Sequence, residues 1–168
     1  MMVLALVGGR SINDRDLHIS RGLESVAVIE NSLLTGFAAP TPRESEVALQ
    51  KYITEILVFE ESRVLGAQSV TGPVLESEMT KRKTGLGSKK WNQWLVSLDA
   101  TEAEIRRRLE QKLIVEKIIE ERVKVASQRE KDPNLAMQEA QKSLKDWLDQ
   151  LRSRYRVRRL APPRFGDS

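Results

Sequence analysis

Cysteine is absent from this sequence of 168 residues. That inventory alone excludes disulfides, thiol nucleophiles and cysteine-ligated zinc or iron–sulfur sites. Histidine occurs once, as His18. It stands in a predicted helix with no serine or cysteine arranged beside it for activation, so it reads as a plain surface or interfacial helix residue. No apolar run approaches the roughly 18–20 residues of a membrane span. The opening run, Met1 to Val7, is shorter than a signal core behind a charged leader, so an exported form is expected to stand here without its signal. Low-complexity tracts and internal repeats are missing too. Aromatic residues are only 5% of the chain, which makes three tryptophans, Trp91, Trp94 and Trp147, conspicuous.

What is present is a chain able to bury one core under a heavily charged surface: 40% hydrophobic and 31% charged residues. Lysine and arginine exceed aspartate and glutamate by 28 to 24, giving a net charge of +4, with the signs interspersed. Such mixing is a weak argument for a polyanionic partner. The local exception is the C-terminal cluster Arg152, Arg154, Arg156, Arg158 and Arg159. If Arg154, Arg156 and Arg158 lie on a strand they share one side, where they would grip phosphates or protect a sheet edge from aggregation.

The pattern along the chain predicts a mainly helical fold. Residues 3–7 form a short apolar run closed by glycines, a strand. Cap-forming Ser11, Asn13 and Asp14 then introduce one helix to about Leu34. The loop at 36–42, with Pro40 and Pro42, is the hinge candidate. A helix over 43–65 repeats Leu49, Tyr52, Ile53, Ile56 and Phe59 at helical spacing and stops at Gly66. Thr71-Gly72-Pro73 opens a shorter helix that buries Val74, Leu75 and Met79. Ser88 caps another, with Trp91, Trp94, Leu95 and Leu98 in one stripe. Thr101 and Glu104 have capping-box spacing, and the helix behind them runs to about Ser127. Asp132-Pro133 starts the last helix, carrying Met137, Ala140, Leu144, Trp147, Leu148 and Leu151. From Tyr155 to Leu160 the period becomes that of a strand, whose one comparable partner is 3–7, so the chain ends are expected to meet.

Sites of chemistry are few. The carboxylates alternate with lysine and arginine as i,i+4 helix pairs, not as acid/base dyads. Gly85 and Gly87 beside Lys89 and Lys90 lack the P-loop spacing and its strand. Arg106, Arg107 and Arg108, one turn into a helix, read as a solvated face. The tryptophans have two readings: core, or the wall of an apolar groove left between helices, with Met79 and Leu86 as neighbours there.

In their order these motifs resemble the SurA-type periplasmic chaperones. The resemblance rests on Val7-Gly8-Gly9-Arg10-Ser11-Ile12-Asn13-Asp14 followed by Asp16-Leu17, with Gly8 in place of the family's usual asparagine. It continues through Val70-Thr71 ahead of Glu78-Met79, then Thr101, Glu104, Ile105, Arg106, Leu109, Leu113, Val115 and Lys117. It closes on Leu144, Trp147, Leu148, Leu151 and Arg152 into Tyr155-Arg156-Val157. In that family a parvulin isomerase usually separates the long helix from the last one. Here the interval is 127–134, so the isomerase is absent and no catalytic residue carries over.

The resemblance implies one module over residues 1–168. It comprises a helical region at 1–127, a short connection at 128–134, and a helix and strand at 135–161 packing back. It implies a periplasmic, ATP-independent, non-enzymatic chaperone for unfolded outer-membrane or secreted polypeptides, with no cofactor, metal or small-molecule substrate. Met79, Leu86, Trp91, Trp94 and Trp147 are the expected client-binding residues. Two other readings remain from the residues themselves: a helical nucleic-acid-binding protein, and a structural homodimer that exchanges elements.

Overall fold

A computed structural model describes residues 2–35, 42–66 and 69–160. Among them the chain is mainly α-helical with one small antiparallel sheet, as the sequence predicts. Strand β1 (Val3–Val7) turns back through Gly8 and Gly9 into β2 (Arg10–Asn13). Both glycines have positive φ, +57° and +85°. That conformation suits a two-residue hairpin turn, because its twist matches the strands it joins. The segment expected only to lead into a helix is therefore a strand as well, pairing Val7 with Arg10 and Ala5 with Ile12. Asn13 then ends the hairpin and caps the next helix. Its side chain accepts from the Asp16 amide at 2.9 Å, while the Asp16 carboxylate accepts from the Asn13 amide at 3.1 Å.

The single helix expected up to Leu34 is two: α1 (Asp14–Glu24) and α2 (Val26–Thr35). Ser25 breaks it with an extended backbone, and its hydroxyl accepts from the Ala27 amide at 3.2 Å. Serine offers the backbone this local alternative to a helical bond. The expected hinge lies outside the described residues over 36–41; Pro42 opens α3 (Pro42–Val64). Next come α4 (Gly72–Leu86) and α5 (Ser88–Ser97). The N-cap of α5 is Gly87, at φ +78°, and makes no side-chain cap bond, so Ser88 is not the cap. Two long helices follow, α6 (Glu102–Ser127) and α7 (Pro133–Arg154). Asp132 caps α7 by accepting from the amides of Asn134 and Leu135.

Only half of the capping box at α6 forms fully. Thr101 accepts from the Glu104 amide at 3.2 Å, but the Thr101 amide is only a minor partner of the Glu104 carboxylate. That carboxylate takes two bonds from the Arg15 guanidinium, each 2.8 Å. Arg15 also donates to the carbonyls of Leu98 and Asp99, so α1 is clasped to the turn between α5 and α6. A bidentate charged pair is stronger than a capping bond to an amide, which explains the exchange.

The closing strand, β3 (Arg158–Arg159), is shorter than the period suggests because Tyr155 caps α7 and Arg156 takes a left-handed backbone, φ +49°. It pairs with β1 through Ala5–Arg159 and Leu6–Arg158. The sheet order is β2-β1-β3, and the chain ends meet as expected.

Two buried clusters organise the interior. One lies under the sheet and joins Leu4, Val7 and Ile12 to Leu49, Ile53, Ile56 and Leu57 of α3 and Trp147 and Leu151 of α7. The other gathers Ile19, Leu23, Ile29, Met79, Leu86, Trp91 and Trp94. Helix α6 serves both, giving Ile105 and Leu109 to the second cluster and Val115 to the first.

Candidate functional site

The helical stripes divide the five expected client-binding residues unequally. Met79, Leu86, Trp91 and Trp94 are between 1 and 6% exposed and belong to the second cluster. They are core residues in this structure, not the wall of an open groove. Helical spacing identifies an apolar face but not what covers it; here α2 and α4 pack against α5, and Ile105 and Leu109 of α6 join the same cluster. Trp91 and Trp94 stack against each other with centroids 5.4 Å apart and planes tilted by 53°. Trp147 is also largely buried, at 8% exposure, yet one side of it faces a groove.

That groove has a volume of about 430 Å³ and runs between the C-terminal halves of α3 and α6, with α7 behind. Val58 and Ser62 of α3, with Leu65 one residue past its end, follow one another at i, i+4 and i+7 along one face. On α6, Ile118, Arg122 and Val125 do the same. The guanidinium of Arg122 lies 3.9 Å from the Trp147 ring centre, and burial lowers its pKa. Glu61 also lines the groove. It accepts two bonds from Arg154, at 2.6 and 2.7 Å, and one from the Tyr155 hydroxyl at 3.0 Å, so its charge is neutralised at the wall.

The groove is open, and its exposed rim carries two large aliphatic side chains among charged ones, Glu121 and Arg129. Leu65 is 67% exposed and Val125 55%. Val64 adjoins them in sequence, and exposed Leu135 and Met137 begin α7 at the end where α6 stops. Sequence reasoning missed Leu65 and Val125 as site residues. The one available signal was that both fall outside the buried stripes of their helices while remaining large and aliphatic.

The C-terminal arginines are mostly committed. Arg154 holds Glu61, Arg159 holds Glu46 through two bonds, and Arg152 pairs with Asp149. Arg154, Arg156 and Arg158 do line one cavity, beside Gly8 and Gly9. They reach it from a helix, a turn and a strand, not from three positions of one strand. His18 sits half-buried on α1, its pKa lowered first by burial and then by Arg21.

The arginine triplet of α6 is not one solvated face. Arg106 pairs with Glu76 and Arg107 is exposed, but Arg108 is buried. It stacks 4.2 Å from the Tyr52 ring centre. One of its nitrogens donates to the Asp16 carbonyl at 3.2 Å; the other has no hydrogen-bond partner. Burial pushes its pKa down to about 10, opposed by the Asp16 charge and aided by the positive charges of Arg10 and Arg15. A cation desolvated without a direct ion-pair partner costs folding energy, so Arg108→Met is expected to stabilise the protein by about 1–3 kcal/mol. A urea midpoint that falls in this variant would show that the Tyr52 stack and the Asp16 bond outweigh desolvation.

Among the described residues no helix is long and apolar enough to cross a membrane, and no group of three side chains is placed to hold a metal ion. Comparison with family models, curated proteins and solved structures gives no match.

Proposed function

We propose that this protein is an ATP-independent periplasmic chaperone of SurA-like kind, without isomerase activity, that holds extended segments of unfolded polypeptide in the groove over Trp147. The observation that carries the reading is the groove itself: an aromatic floor, walls that mix Val58, Ile118 and Ala126 with Glu61, Glu121, Arg122 and Arg129, and a rim where Leu65 and Val125 face water. Apolar surface of this kind marks an interaction site, since removing it from water is favourable for whatever covers it. The sequence resemblance supports the same reading. The α6–α7 connection, where the family carries an isomerase, stands at the end of the molecule that bears this rim.

An aromatic client side chain would take the place on Trp147 that the Arg122 guanidinium holds, exchanging one stacking partner for another. Exposed Ser143 at the wall offers its hydroxyl to a client backbone. Because a disordered client pays ordering entropy on binding, affinity should be micromolar, about −8 kcal/mol.

The test is tryptophan emission together with light scattering while an unfolded outer-membrane protein is titrated in. A saturable emission change is expected in the wild type and not in Trp147→Phe, with aggregation suppressed at equimolar chaperone. Leu65→Asp combined with Val125→Asp should weaken binding at least tenfold with an unchanged melting temperature, because both side chains are exposed. The proposal fails if the double variant suppresses aggregation as well as the parent.

A further inference from the structure

We propose that a second groove, along the N-terminal half of α3, is a client subsite selective for an apolar segment bearing a lysine or arginine side chain, which Glu55 receives. This rests on the chaperone reading for the nature of the ligand, but its chemistry is read from different residues. The groove encloses about 520 Å³ between α3 and α6, and Val47, Thr54, Val115 and Ile119 supply much of its wall. Glu55 stands among them.

The other carboxylates of this groove already have cations. Glu24 pairs with Lys51 at 3.7 Å, Glu116 with Lys112 at 3.0 Å, and Glu46 with Arg159. Glu55 accepts one bond, from the Gln111 amide at 2.8 Å. Among the described residues, no cation lies within ion-pair distance of it. A glutamine there would keep the bond to α6 and avoid burying an acid; the carboxylate is therefore explained by something that arrives with a positive charge. A lysine or arginine side chain fits, because its methylene stem covers aliphatic surface while its head forms a charge-assisted hydrogen bond. An acidic segment would be rejected.

The groups facing Glu55 set the pH behaviour. Burial pushes its carboxyl up to about 7, opposed by the Gln111 bond and the Lys112 charge, and assisted by Glu116 and Glu24. Near neutrality the site is part-protonated, and a bound cation must ionise it. Binding should therefore release a proton and tighten as pH rises from about 6 to about 8.

The experiment uses the full chain and a blocked, apolar, extended peptide with one central lysine, against the same peptide with that lysine acetylated. At pH 8 the lysine peptide is expected to bind at least tenfold tighter. The preference should shrink at pH 6 and vanish in Glu55→Gln. Equal affinity of the wild type for both peptides overturns the subsite and leaves the chaperone reading standing. Suppressed client aggregation with no binding of either peptide does the same; neither binding nor suppression sinks both.

Discussion

Trp94→Ala is expected to cost about 3–5 kcal/mol of folding free energy, seen as a fall in the urea midpoint at constant slope. The indole is fully enclosed and lies against Gly22 of α1. Gly22 makes that approach possible: a Cβ there would come within 2.4 Å of the Trp94 ring and 3.3 Å of Ile29. Helix propensity alone would favour alanine at this position by about 1 kcal/mol. The steric term wins, because a ring walled in on its other faces cannot retreat, and overpacking of this kind costs about 1–3 kcal/mol. Gly22→Ala should therefore destabilise the wild type and be close to neutral in the Trp94→Ala background. Strict additivity of the two changes would mean that they do not meet.

The second large effect is a stability that declines as pH rises from about 4.5 to about 7. Glu55 is the cause. In the unfolded chain its carboxyl ionises near the ordinary 4.5, whereas in the fold burial holds the proton up to about 7. Between these values the unfolded state binds fewer protons than the folded one, so stability falls with rising pH and then levels off. The difference corresponds to about 3 kcal/mol. Glu55→Gln should flatten this slope and be the more stable protein at pH 8, measured by urea unfolding at pH 5 and pH 8. His18 works in the opposite direction, its lowered pKa favouring the fold as pH rises, so the difference between the two proteins isolates Glu55. Glu46, held down to about 2 by Arg159, titrates below this window. A Glu55→Gln profile parallel to the wild type would refute the assignment.

Much of the fold was legible because its signals are local. The proline and aspartate at the start of α7, the threonine before α6 and the glycine after α3 act on their own backbone neighbours, and the structure has helix ends at each. The pairing of the chain ends was legible by elimination, since the closing strand had one plausible partner. What escaped reading depends on distant groups. Glu104 engages an arginine that is remote in sequence more than its capping box, and Arg108 is buried because α1 and α3 close over it. The same holds for the site. A stripe of Trp91, Trp94 and Leu98 has the same spacing whether it lines a groove or faces another helix, and Gly22, whose missing side chain admits Trp94, carries no pattern of its own. Trp147, on a stripe of the same kind, is the one candidate that reaches an open surface.

The pairing of Ala5 with Arg159 also bears on how the molecule is assembled as it is made. The cluster built around Trp91 and Trp94 uses residues from Ile19 to Leu109, so it can close before α7 exists. The cluster under the sheet cannot, since Leu4 and Val7 must wait for Trp147 and Leu151 at the far end of the chain. Contacts of such long sequence separation are slow to form, and the loop they close runs from β1 to α7. The expected order of folding is the half around α4 and α5 first, then the sheet and the groove over Trp147 together. A chain interrupted during synthesis would expose β1 and lack the groove altogether.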